Sequence, residues 1–203
     1  MSIEFKDSET KENLMRAFAG ESQARNRYTF SGKQARKQGY YVIEQIFNFT
    51  ADQEYAHAKL FYEHLKPFTG ETITVDGGYP VDLHDDLEKL LRAAAHNEFE
   101  EHDDVYKKFS EKAKEEGFPQ IAAQFHMIAS VEKIHGDRFT MIADMIRDNK
   151  LFVSEVETEW MCLYCGYVLG GKEAPEVCPN CLHGRGFFVR ITLAPYTKAS
   201  NEK

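Results

Sequence analysis

The chain has 203 residues, 42% of them hydrophobic and 29% charged, with a formal net charge of -8. A chain of this length can bury a sizeable core and is expected to make one large domain, or one domain plus a small module. Its acid excess argues against nucleic acid, whose phosphates need a basic patch, and suits cations better. The opening Met-Ser-Ile-Glu-Phe-Lys-Asp-Ser-Glu-Thr has no basic start and no apolar block, and no run reaches the roughly 18 apolar residues of a membrane span. A cytoplasmic protein without a membrane partner is therefore expected.

The first helix is predicted from about Ser8 or Thr10, both able to cap it, to Gln38, where Gly39 supplies a stop. Its apolar stripe runs Leu14, Ala17, Phe18, then Glu21, Ala24 and Tyr28. Taken alone, Glu21 reads as a half-exposed residue at a stripe edge. The second helix is predicted from Tyr41 to Lys66, before Pro67, with the stripe Ile43, Phe47, Thr50, Glu54, His57, Phe61 and Leu65. The short connection at Gly39 makes these two helices antiparallel neighbours. Glu21 lies 18 residues before Gly39, and Glu54 and His57 lie 15 and 18 after it, so the three come roughly level.

Residues 67 to 81 break the helical pattern with Gly and Pro and carry a short β-like patch, Thr72 to Val75. About 15 extended residues span roughly 50 Å, against roughly 40 Å for a helix of about 26 residues. The connector can thus run the bundle's length and leave the third helix parallel to the second. That third helix is predicted from Asp82 or Asp85 to Glu116, with Leu87, Leu91, Ala94, Glu98, Glu101, Val105 and Phe109 on its stripe. Gly117-Phe118-Pro119 makes the next turn. A fourth helix follows to Asp148-Asn149-Lys150, its inner face Ile121, Phe125, Ile128, Glu132, His135, Phe139, Ile142 and Ile146.

The two hairpins repeat one another: Glu21 to Glu54 is 33 residues, Glu98 to Glu132 is 34, and each second member opens Glu-x-x-His. One such pair on an apolar face could be a structural histidine satisfied by a carbonyl. Two pairs, each matched in height by a glutamate on the preceding helix, would leave several buried carboxylates uncompensated. Each costs several kcal/mol unless something positive meets it, and no Lys or Arg is expected on the fourth helix's face. Metal cations supply the missing charge, and carboxylates with two imidazoles favour iron or manganese over zinc.

These residues resemble the ligands of a ferritin-like di-iron carboxylate domain: Glu21, Glu54-Tyr55-Ala56-His57, Glu98 and Glu132-Lys133-Ile134-His135. The resemblance implies Glu54 and Glu132 as bridges. Glu101 has no partner in the first repeat, where Ala24 stands at the matching place. With Phe18-Ala19-Gly20-Glu21-Ser22-Gln23-Ala24 and Glu98-Phe99-Glu100-Glu101, that extra acid makes residues 8 to 192 resemble the rubrerythrin family. In that family the counterparts of His57 and Glu101 lie on opposite sides of one iron, which moves between them as its oxidation state changes. Tyr28 and Tyr106 match family tyrosines beside the cluster, although helical spacing alone reads them as two core aromatics.

After Lys150 the helical pattern stops, and Leu151 to Glu159 reads as a short strand or linker. Trp160-Met161-Cys162-Leu163-Tyr164-Cys165-Gly166-Tyr167 and Cys178-Pro179-Asn180-Cys181 then form two metal-binding knuckles. All four cysteines lie here, as suits thiolate ligands in a reducing compartment rather than a disulfide framework. Spacing alone leaves zinc and iron open. Gly166, which permits a close backbone approach to sulfur, favours iron, as do Trp160, Tyr164, Tyr167, Phe187 and Phe188, which could fill a miniature core. The block resembles the rubredoxin-like domain that ends rubrerythrins. His183 is read as a surface residue rather than a fifth ligand, and Thr197 to Lys203 as a frayed tail.

The expected architecture is mainly α: a ferritin-like four-helix bundle with a long crossover over residues 1–150, then a linker and small β-rich four-cysteine module over 151–203. The resemblance implies a non-haem iron peroxidase of oxidative stress defence, with two irons in the bundle and one on the cysteines. Hydrogen peroxide would be its substrate, and a reductase or rubredoxin drawing on NAD(P)H its electron donor. It further implies a homodimer, or a higher even oligomer, in which the small domain of one subunit docks beside the bundle of another. A ferroxidase or iron store, and a non-enzymatic zinc-ribbon module on a helical scaffold, are the competing readings.

Overall fold

The computed structural model describes residues 3–196; the tail expected at Thr197 to Lys203 lies outside them. Helix α1 spans Glu9–Lys37, with the Ser8 hydroxyl accepting from the Lys11 backbone N–H at 3.2 Å as its cap. Gly39, at φ 82°, turns the chain into α2, Tyr41–His64. Helix α3 spans Leu87–Glu100, capped by Asp86, which accepts from Lys89 N at 2.8 Å. It leads through a π-helical turn, Glu101–Val105, into α4, Tyr106–Glu115. Helix α5, Pro119–Arg147, has proline in its first turn, where no N–H is missed.

Side-chain pairs fix the directions. Thr10 meets Glu116, Tyr106 meets Glu21, and Tyr28 meets Glu98, so α1 runs antiparallel to α3 and α4. His64 meets Gln124 and His135 meets Gln53, so α2 runs antiparallel to α5. Since α1 and α2 are themselves antiparallel, α2 and α3 are parallel, as a full-length crossover requires. The crossover lies along α1: Arg16 holds Asp76 at 2.8 Å, Arg27 holds Asp82 at 2.8 Å, and Gln38 reaches the Asp85 carbonyl at 2.6 Å.

Three expectations are corrected. Thr72 to Val75 forms no strand, because no neighbouring edge is there to complete a ladder. The second helix stops at His64, and Lys66–Phe68 follow as a 3-10 turn. The third helix is not one continuous α-helix. Its π-turn adds a residue to one turn and rotates the stripe, so that Tyr106 and Ala113, rather than Val105 and Phe109, are fully buried beyond Glu98.

The bundle core is split in two. One apolar cluster packs Phe47, Ile43, Leu91, Phe139 and Ile142 towards the Gly39 end. A second packs Leu14, Phe61, Tyr106, Phe125 and Ile128 towards the other. Between them lies a layer of buried acids and imidazoles.

Strands β1 (Val153–Cys162), β2 (Val168–Glu173) and β3 (Phe188–Arg190) form an antiparallel sheet in the order β2-β1-β3. Trp160 is completely buried, donating from its indole N–H to the Gly171 carbonyl at 2.9 Å, and Phe188 packs with it. Tyr164 and Tyr167, expected in this miniature core, are 61% and 41% exposed. Neighbouring a cysteine in so thin a module does not decide which side a ring takes. The module sits on the Gly39 end of the bundle, where Phe187 stacks on Tyr41 at 4.3 Å. A Cβ on Gly186 would stand 1.6 Å from the Gly39 carbonyl oxygen, so the two backbones touch directly.

Candidate metal centres

The helical spacing read from sequence brings Glu21, Glu54, His57, Glu98, Glu132 and His135 to one level, all six buried. They form two nests. His57 Nδ1 lies 3.0 Å from Glu132 Oε1, 3.1 Å from Glu54 Oε2 and 3.7 Å from Glu21 Oε2. His135 Nδ1 lies 2.9 Å from Glu54 Oε1, 2.9 Å from Glu132 Oε2 and 3.5 Å from Glu98 Oε2. Glu54 and Glu132 thus give one oxygen to each nest. In each nest the four ligand atoms lie within 4.8 Å of one another.

Among the described residues, several of these atoms have no hydrogen-bond partner: Glu21 Oε2, Glu54 Oε1, Glu98 Oε2, both Glu132 oxygens and His135 Nδ1. Leaving so many polar atoms buried and unpaired is costly, and it is the arrangement that divalent cations would resolve. Electrostatics agree. Burial, reinforced by the neighbouring Glu54, pushes Glu98 up to about 8. Burial and Glu132 hold Glu21 well above the usual carboxylate range. Burial works to raise Glu54 too, but the imidazoles of His135 and His57 beside it outweigh burial and bring its carboxyl to about 2. Burial disfavours the charged imidazole of His135, yet contacts with Glu132, Glu54 and Glu98 lift it to about 11. Without metal, the histidines serve as the cations of the site.

The remaining polar atoms are held by neighbours. Tyr28 donates to Glu98 Oε1 and Tyr106 to Glu21 Oε1 through short hydrogen bonds, so both tyrosines touch the site and are core aromatics as well. The His135 Nε2 lies 3.1 Å from Gln53 Oε1, which leaves Nδ1 towards the carboxylates. Arg138 in turn donates to Gln53 Oε1 at 3.1 Å and to Thr50 Oγ1 at 2.9 Å. Sequence reasoning missed both residues. It expected no cation on the α5 face, but Arg138 stands at that face's edge, three residues after His135, with its guanidinium 5.0 Å from the Phe49 ring. Glu101 lies on the π-turn, half-buried and outside both nests, and lines a cavity of about 240 Å³. Burial and the carboxylates around it hold its acid well above the usual range.

In the C-terminal module the four sulfurs converge, with Cys162 Sγ 3.7 Å from Cys181 Sγ and Cys165 Sγ 3.7 Å from Cys178 Sγ. Gly166, in the left-handed region at φ 75°, turns the chain so that the Tyr167 N–H meets the Cys165 sulfur. Asn180 and that N–H bring Cys165 down to about 6, whereas desolvation pushes Cys181 up to about 12. The set ionises together only around a cation. His183 donates no ring nitrogen to the sulfurs; it stacks on Tyr164 at 3.7 Å.

The family model described as Rubrerythrin matches residues 12–143 and 89–159, and that described as Rubrerythrin, rubredoxin-like domain matches 160–189. Rubrerythrin-1 of Clostridium acetobutylicum is 46% identical over 185 residues, spanning 90% of this chain and 94% of that protein. The chain belongs to the rubrerythrin family. Rubrerythrin of Porphyromonas gingivalis is 42% identical, over 93% of this chain and 92% of its own. The solved structure of fully reduced, all-ferrous nigerythrin is 31% identical, covers 91% of this chain and 90% of its own, and superposes with a TM-score of 0.60. Bacterioferritin of Desulfovibrio desulfuricans, at 23% identity and a TM-score of 0.61 over 70% of this chain and 81% of its own, shares the bundle fold. As a rubrerythrin, the chain combines a ferritin-like di-iron centre with a rubredoxin-like four-cysteine iron site, and both donor sets are in place. Among the described residues, no helix is long and apolar enough to cross a membrane.

Proposed function

We propose that the chain is a cytoplasmic non-haem iron peroxidase of oxidative stress defence, which reduces hydrogen peroxide to water. In this reading residues 1–150 are the reaction domain. Glu21, Glu54, His57, Glu98, Glu101, Glu132 and His135 hold its irons, and residues 151–203 carry the electron-transfer site on Cys162, Cys165, Cys178 and Cys181. The observation that carries it is the layer of unpaired buried carboxylate oxygens in a bundle that bears a four-sulfur site on its end. When bound, the two irons would supply the two electrons needed to split the O–O bond, which with two protons gives two waters.

The protein's own part is positioning, proton supply and exclusion of water. Glu54 and Glu132 span both nests and would set the distance between the ions. Tyr28 and Tyr106 fix Glu98 and Glu21 by donating to one oxygen of each, which leaves the other free to bind. Resemblance to the family implies Glu101 as a ligand in one oxidation state; outside both nests and facing a cavity, its carboxyl would be placed to carry a proton to the departing oxygen. Phe61, Phe125, Phe47 and Phe139 close the layer from both sides.

Electrons would come from NAD(P)H through a reductase or rubredoxin. Tyr41, beneath the module, precedes Glu54 by 13 residues, or roughly 20 Å of helix. That separation supports a homodimer in which the module of one copy docks beside the bundle of the other. The test is anaerobic mixing of diferrous protein with hydrogen peroxide: oxidation far faster than that of free ferrous ion is expected, and oxidation no faster would sink the reading. Faster oxidation by dioxygen than by peroxide would instead favour a ferroxidase. Zinc without iron on metal quantification would favour the interaction module.

A further inference from the structure

The crossover does more than connect two helices. Between Asp76, held by Arg16 at 2.8 Å, and Asp82, held by Arg27 at 2.8 Å and by Asn97 Nδ2 at 2.8 Å, the chain arches away from the bundle as Gly77-Gly78-Tyr79-Pro80. Between Glu71 and Asp86 no backbone–backbone hydrogen bond forms among the described residues, so side chains alone secure this stretch. Beneath the arch opens the cavity of about 240 Å³, large enough for a small molecule with water around it. Its inner wall includes Glu101 and Tyr106, and Tyr106 holds Glu21. Its outer rim is the arch itself.

Tyr79 lies at the opening. Its ring edge lies 3.9 Å from where a Cβ on Gly20 would stand, beside Glu21, and its hydroxyl donates to the Arg16 carbonyl at 3.3 Å. The same ring folds back over Gly77, where any Cβ would meet it at 2.8 to 3.1 Å. Two glycines thus let one tyrosine lie flat across the gap between arch and helix. The lining mixes apolar and polar surface: Ala17, Val105 and Phe109 stand beside Gln23 and Asn97, and the charges of Arg16 and Arg27 are offset by aspartates. Such a space suits a small neutral, hydrogen-bonding molecule.

We propose that the cleft under this arch is the way by which substrate reaches Glu101 and the metal layer, and that Tyr79 sets the size of hydroperoxide admitted. The choice of substrate rests on the peroxidase reading; the route itself does not.

The test uses the full iron-loaded chain in three forms: wild type, Tyr79→Ala, and Gly78→Trp. Gly78 has open space around its Cβ position, so the added ring can be accommodated and should crowd the rim. Azide association with the oxidised di-iron centre, followed by absorbance, reports access without turnover. It should quicken several-fold in Tyr79→Ala and slow in Gly78→Trp. The ratio of kcat/KM for cumene hydroperoxide to that for hydrogen peroxide should rise about tenfold in Tyr79→Ala, the discrimination an apolar group of this bulk can confer. Unchanged azide rates in both variants, each with its full iron complement, would overturn the route while leaving the peroxidase reading intact. If the wild type turned over no peroxide at all, the azide rates would still decide whether the cleft is the way in.

Discussion

The two metal centres stand in opposite relations to the fold around them. In the bundle, the donors are drawn from positions as distant as Glu21 and His135, and packing of the two apolar clusters on either side brings them level. In the C-terminal module they come from two short turns, and beyond the cysteines the fully buried core there is little more than Trp160, Ala174 and Phe188. Below roughly 70 residues a single core rarely supplies more than a few kcal/mol, and small folds commonly add disulfides or a metal. The bundle makes its site, whereas the sulfur site makes its module. The bundle therefore tolerates an unfavourable interior that its module could not.

The sharpest way to break that contrast is to remove metal from the sulfurs. Cys178→Ser should abolish the red colour of the ferric thiolate and unfold the module, a loss on the order of 10 kcal/mol of metal-coupled folding energy, while the far-ultraviolet helical signal persists. Helix loss in parallel would mean that the bundle depends on the module after all. Next in size is Glu132→Ala. Because Glu132 contributes to both nests, iron content should fall from about three per chain to about one, with the red centre retained. Retention of one bundle iron would show that the nests fill independently.

The metal-free bundle should also respond to pH in a direction the module does not share. Glu98 is raised to about 8 in the folded chain, and Glu21 and Glu101 are raised too, so the folded state holds more protons than the unfolded one between pH 5 and 8. Stability is then fullest below the ordinary carboxylate range and declines as pH rises through those folded values, on the order of 1 kcal/mol per pH unit for each extra proton. His135, raised to about 11, adds a decline of the same sign above its ordinary value. Glu54, lowered to about 2, acts the other way, but only below about pH 4.5. Metal binding needs the carboxylates ionised and strengthens as pH rises. The gap in Tm between iron-loaded and metal-free protein should therefore widen from pH 5 to pH 8, and a narrowing gap would contradict the unpaired-acid layer.

The smallest expected effect is that of Tyr106→Phe, which leaves Glu21 Oε1 without its donor. A loss of about 1 to 3 kcal/mol in urea unfolding of the iron-loaded protein is expected. A change near zero would mean that the metals alone hold Glu21.

Much of this was legible in the sequence because the informative residues break a pattern. A glutamate and a histidine three apart inside an apolar stripe announce themselves, as do paired cysteines at the same spacing, and Gly39 and Gly117 mark hairpins that level the acids. Residues that act without interrupting a pattern stayed hidden. Gln53 and Arg138 look like surface residues until α2 and α5 are laid side by side. The π-turn at Glu101–Val105 contains no glycine or proline to signal it; only the slip of burial from Val105 to Tyr106 betrays it, and both residues are apolar enough to fit either register. Thr72 to Val75 had strand-like chemistry without an edge to pair with, which only the fold could reveal.

The contact between Gly186 and the Gly39 carbonyl carries a consequence for the molecule as a machine part. With no side chain on either residue at that seam, the small domain is seated backbone to backbone, and the Tyr41–Phe187 stack keeps it from rolling. A single methyl group at position 186 would act as a wedge driven under a hinge plate, tilting the sulfur centre without touching a sulfur. The alignment of the two halves is thus guarded by a residue whose whole contribution is to take up no room.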